Sequence, residues 1–159
     1  MDAIANTKRR VFKIISTSAA AITFVIAVWQ FIVWHQEKSQ PNYSGEWSMS
    51  CEIETAEMQK YKGMKIDWVI HLTQNNNRLT GIAEKISVNS VKLDYKDRTT
   101  LSIDGSIEHD NFNLPFIEKG KLRESRGIFV GEFSSDKFQG TFSSTASDTR
   151  GKIAGYRIK

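Results

Sequence analysis

The side chains of this 159-residue chain that could do chemistry are three histidines, one cysteine and a scatter of carboxylates. His35, His71 and His109 lie too far apart in sequence to share one helical turn or one strand face, the spacings that let two imidazoles hold a metal. His35 ends an apolar segment, His71 alternates with apolar neighbours, and His109 adjoins a turn signal. Cys51 is alone, which excludes an internal disulfide and a multi-cysteine zinc site, and reads as a small buried residue on a strand. Asp94, Asp97, Asp104 and Asp110 fall among turn and solvent-face residues, and their spacing nominates no acid/base pair. The glycines of 127–131 and 151–155 lack the strand-to-helix setting that a phosphate-cradling loop or a nucleophile elbow requires. The expectation is a binding or effector protein, not an enzyme, with no metal and no cofactor.

The charge balance narrows the partners. The chain has 22 basic and 18 acidic residues, a net +4. Lys8, Arg9, Arg10, Lys13 and Lys38 against Asp2 and Glu37 place +3 of this before residue 41, leaving only +1 for the rest. A nearly neutral body argues against a binder of nucleic-acid polymers.

The elements that must position any site fall into two parts, residues 1–40 and residues 41–159. From Ile14 to Trp34 the chain has 21 uncharged residues, which as a helix rise just over the roughly 30 Å of a bilayer core. Ser18-Ala19-Ala20-Ala21 has the look of a processing site, yet it precedes the most apolar half of the segment, so a retained single-pass anchor in the inner (cell) membrane is expected. Ser16, Ala19, Thr23, Ala27 and Gln30 recur near one helical face, where small residues let backbones approach and a Gln amide finds a partner. A homo-oligomer packed through this face in the lipid bilayer is therefore expected. Trp29 and Trp34 suit an interfacial belt. The basic cluster lies before the span, so the positive-inside rule sends everything after Lys38 across the membrane.

After the polar linker "KSQPNYS", residues 38–44, the period changes from helical to alternating. Trp47, Met49, Cys51 and Ile53 alternate with polar residues, as do Ile66, Trp68, Ile70 and Leu72. Asn75-Asn76-Asn77 marks a hairpin into "RLTGIAEKIS". "TTLSIDGSIEH" and "NFNLPFIEK" pair around His109-Asp110-Asn111, and "RGIFVGEFSS" and "FQGTFSST" around Ser134-Ser135-Asp136-Lys137. With the closing "GKIAGYRIK" this makes about eight short strands and no crossover helix. The fold class expected is mainly β, an eight-stranded antiparallel meander barrel following one transmembrane helix. Gly81, Gly105, Gly131, Gly140 and Gly155 inside the strands suit the corners of a small closed barrel, which has room for one small ligand.

The plan of an N-terminal membrane segment, a "SGEW" opening strand, the "HLTQNNNRLTG" hairpin, a central "LSIDGSI" and a terminal "FQGTFSS" with "GKIAGYRIK" resembles the membrane-anchored β-barrel effectors of bacterial anti-phage defence, which belong to cyclic-oligonucleotide signalling of the CBASS type and related nucleotide-guarded systems. The resemblance implies a barrel that receives a cyclic di- or trinucleotide and controls oligomerisation of the anchor and disruption of the membrane. Those effectors carry two membrane helices where one span is legible here, so the resemblance implies a cytoplasmic sensor while the charge asymmetry implies the opposite side. Phosphates want Arg or Lys and bases want aromatic faces. On that basis the candidate ligand-binding residues are Arg78, Lys85, Tyr95, Arg98, Arg123 and Arg126, with Arg123 and Arg126 read as flanking an "ES" turn. The rival reading is an anchored extracytoplasmic lipocalin-like barrel for a lipid or apolar ligand, or a partner in an envelope complex, with Trp47, Trp68, Phe112, Phe129 and Phe142 lining its interior.

Overall fold

The structure is a computed structural model that describes residues 24–33, 41–120 and 123–159. It divides into two units, Met1–Gln40 and Pro41–Lys159. Of the first, residues 24–33 form a helix, α1, whose Phe24, Val25, Ile26, Trp29, Phe31 and Ile32 side chains are exposed. Among the described residues no helix is long and apolar enough to cross a membrane. Ala27 and Gln30 of the expected packing face lie on α1, three positions and so nearly one turn apart. Ser16, Ala19 and Thr23, and most of the expected span, lie outside the described residues.

The second unit is a sheet closed on itself. Its strands are β1 (Gly45–Thr55), β2 (Lys65–Asn75), β3 (Arg78–Val88), β4 (Val91–Lys92), β5 (Thr100–Glu108), β6 (Asn111–Lys119), β7 (Glu124–Ser134), β8 (Lys137–Ser144) and β9 (Thr149–Arg157). All neighbours are antiparallel; β1 bonds both β2 and β9, β2 bonds β3, and β3 bonds β5, so eight strands close an up-and-down barrel. The two-residue β4 is an extra strand folded back on the end of β3 through Asn89-Ser90, both at positive φ, and nothing in its short "VK" alternates enough to be foreseen. The two-residue loops begin with residues that tolerate the left-handed region, Asn76 at φ 52° among them, which suits the right-handed twist of the flanking strands.

Alternation delivers the inward set as the sequence requires. Trp47, Met49, Cys51, Ile53, Trp68, Ile70, Leu72, Phe112, Phe129 and Phe142 are all buried in one core. Glycines sit where strands pinch together. Gly131 faces Gly140 across β7 and β8, and a Cβ on Gly131 would collide with the Gln139 carbonyl oxygen and come within 2.7 Å of the Phe112 ring. Both obstacles belong to packed structure with nowhere to go. Gly131→Ala is accordingly expected to destabilise the barrel by about 1–3 kcal/mol, read from the urea midpoint at unchanged slope.

One end of the barrel is plugged. Pro41 to Ser44, expected to be linker, is part of this plug: Tyr43 is 3 % exposed and stacks on Phe133 with ring centroids 4.1 Å apart. The polar look of "PNYS" misled because its one aromatic turns inward while its neighbours supply backbone acceptors. Trp47 Nε1 donates to the Tyr43 carbonyl at 3.0 Å, and its ring meets those of Phe133 and Phe138. Arg157, the cross-strand partner of Trp47, lies over the indole at 4.6 Å. Its guanidinium donates to the carbonyls of Ser44 (2.6 Å) and Asn42 (2.9 Å) and to Asp136 (2.9 Å). A space here, lined by Phe112, Phe133 and Phe138 among others, is about 10 Å³, no more than one water's worth.

Tyr43 also donates its hydroxyl proton to Asp110 Oδ1 at 2.6 Å. Burial and then this hydrogen bond to a carboxylate push the phenol up from 10.0 to about 12. The folded chain therefore holds the proton more tightly than the unfolded one. The stability this supplies is fully present below pH 10 and is lost as the pH rises through about 12. Urea titrations across that window should show the decline in the native chain and a shallower one in Tyr43→Phe.

Candidate functional site: a cavity at the open end

The opposite end is formed by the loops 56–64, 89–99 and 145–148 with Gly120 and Arg123, and it opens into a cavity of about 270 Å³. Its floor and walls include Cys51, Trp68, Leu101, Phe116, Phe129 and Phe142, all buried. Phe116 and Phe129 stack with centroids 4.3 Å apart, giving one flat aromatic wall. Burial pushes the Cys51 thiol up to about 12, so it stays a neutral, apolar part of the lining.

Set into this apolar lining is one charge pair. Lys85 Nζ meets Glu118 Oε1 at 2.6 Å, and each side chain is only 17 % exposed. Lys85 also sits 4.9 Å over the Trp68 ring, and Thr99 Oγ1 donates to the same Glu118 oxygen at 2.8 Å. Lys85 is aimed inward by register. It follows Leu79, Gly81 and Ala83 at even spacing, and directly beyond it the pairing slips from Trp68↔Lys85 to Asp67↔Ser87, so that Ile86 is an extra residue, a β-bulge. Glu118 continues the inward series Phe112, Leu114, Phe116. At the rim stand Arg123, which lines the cavity, and Lys60, 5.0 Å over the ring of Tyr61, which lines it too.

The six basic and aromatic candidates do not converge. Lys85 and Arg123 line the cavity; the other four do not. Arg78 is seven residues from Lys85, an odd spacing that puts it on the outer face, where it clamps Asp104 at 2.9 and 2.6 Å. That clamp raises the Arg78 pKa and holds the Asp104 carboxyl below the usual carboxylate range. Tyr95 is 84 % exposed on the short 3₁₀ turn Tyr95–Asp97, and Arg98 turns outward to Glu84 at 3.1 Å. Arg126 is exposed on the outside of β7. "ES" is no turn: β7 begins at Glu124, with Ser125 already buried and Arg126 alternating outward, so the two arginines do not flank a loop together. Glu118 and Thr99 were not foreseen. The even spacing of Glu118 from Phe112 is the signal that could have found it, whereas Thr99 is brought in by a loop.

Trp68, Phe129 and Phe142 of the aromatic set line the cavity, and Trp47 and Phe112 pack the plugged end. Among the described residues no cluster of His, Cys, Asp and Glu is arranged to hold a metal ion. Fold and site together define a closed eight-stranded β-barrel, plugged at one end and hollow at the other. No protein-family model matches the chain, and no curated protein matches it.

Proposed function

We propose that the barrel is a receptor for a cyclic oligonucleotide, and that ligand state governs association of the N-terminal anchors in the membrane, as in the defence effectors this chain resembles. The observation that carries the reading is the cavity itself: flat aromatic walls and a lysine inside, with Arg123 and Lys60 at its rim. Its volume, about 270 Å³, is at the small end of ligand pockets. It encloses one nucleobase and leaves the sugar-phosphate ring at the mouth, where Arg and Lys supply charge-assisted hydrogen bonds. Exposed apolar side chains all along α1 call for lipid or for other helices around them, which supports an anchor that self-associates.

The rival ligand, a lipid or other apolar molecule, draws on a specific feature: most of the lining is apolar, and Lys85 is already neutralised by Glu118. Calorimetric titration of the full chain in lipid nanodiscs separates the two. Saturable binding of cyclic di-GMP, cyclic di-AMP or cyclic GMP-AMP with no response to decanoate is the expected result. Binding of decanoate alone would replace the nucleotide by an apolar ligand.

A further inference from the structure

Lys85 and Glu118 form an ion pair that the barrel holds half inside an apolar cavity, where a structural salt bridge earns little and costs desolvation. Their chemistry as a lining is more informative. An ammonium only donates hydrogen bonds and an ionised carboxylate only accepts them, so side by side they read an edge with an acceptor next to donors. Both partners of Glu118, Lys85 and Thr99, bond the same oxygen, Oε1. No hydrogen bond from the described residues reaches Oε2, which makes it the carboxylate oxygen left for an incoming donor. Thr99 acts here as a positioning residue, fixing the carboxylate from the 89–99 loop, and the Thr99 carbonyl is itself held by the Lys85 backbone N–H at 3.0 Å.

Resting on the reading of the cavity as a nucleobase site, we infer that Lys85 and Glu118 select guanine. The guanine edge presents a carbonyl oxygen for the Lys85 ammonium and, beside it, a ring N–H and an exocyclic amine that together satisfy both carboxylate oxygens. Adenine, cytosine and uracil each offer the carboxylate a single donor group and leave an acceptor or a lone oxygen facing it. With the pair only 17 % exposed, such a mismatch leaves a largely buried polar group unpaired, which is the basis of strong discrimination. The same chemistry belongs to a free nucleoside, a mononucleotide and a cyclic dinucleotide, and the rim cations distinguish these by their phosphates.

The test is calorimetric titration of the full chain in nanodiscs with guanosine, GMP and cyclic di-GMP, each beside its adenine counterpart and beside its inosine counterpart, which lacks the exocyclic amine. Guanine ligands should bind at least about ten-fold tighter than both counterparts, with Glu118→Gln erasing the preference while retaining the native circular dichroism spectrum. A rise in affinity from guanosine to cyclic di-GMP assigns the rim to phosphate, and equal affinities assign the site to the base alone; both support guanine selection. Equal or tighter binding of adenine or inosine ligands overturns guanine selection and leaves the nucleobase site standing. Failure of every nucleoside and nucleotide to bind overturns both. The inosine comparison uses the unaltered protein, so the outcome does not depend on whether the variant folds.

Discussion

Trp47→Ala should bring the barrel close to unfolding. The indole is fully buried, is contacted by Phe133, Phe138 and the Arg157 guanidinium, and donates to the Tyr43 carbonyl. Its truncation removes the largest side chain from the plug and orphans that carbonyl, a loss of about 3–5 kcal/mol for an aromatic core residue. Against a total stability of roughly 5–15 kcal/mol, this is a large fraction. Trp47→Phe keeps a ring under Arg157 and should cost less than half as much. Chemical denaturation of both variants checks the ordering; equal losses would mean that the cation over the ring and the packing around it contribute little.

The second large effect concerns the cavity. Lys85→Met should destabilise the fold by about 3 kcal/mol, because it leaves Glu118 mostly buried with only the Thr99 hydroxyl to satisfy it. The double variant Lys85→Met, Glu118→Met should recover stability to within about 1 kcal/mol of the native chain, since an apolar pair of similar volume suits the surrounding Trp68 and Phe116. Recovery of stability without recovery of ligand binding is the outcome that assigns the pair to recognition. If the double variant is as unstable as the single one, the pair is part of the fold's own support.

The inward series, the hairpin turns and the closed meander could all be read from the chain because each depends on local rules: alternation, left-handed Asn and His at turns, and regular strand spacing. The site was less legible for reasons of parity and of distance. Charge alone grouped Arg78 with Lys85, but their odd separation along β3 sends one outside and the other in. The partner of Lys85 comes from β6, two strands over with β5 between them, and the third group from a loop, a conjunction that only the pairing of these strands creates. The plug followed the same logic, as the side chain that secures Tyr43 is Asp110, in the turn between β5 and β6.

Closure by β1 and β9 also bears on biosynthesis. Trp47 lies in the first strand to leave the ribosome and Arg157 in the last, yet they are direct neighbours in the finished sheet. Until β9 clears the exit tunnel, β1 and β8 each present an unpaired edge, and the indole lacks its cover. The barrel therefore completes itself only once β9 has emerged, a late, non-local step that makes the nascent protein dependent on whatever shields sheet edges during synthesis. Loss of the last strand would leave the cavity walls on an open sheet.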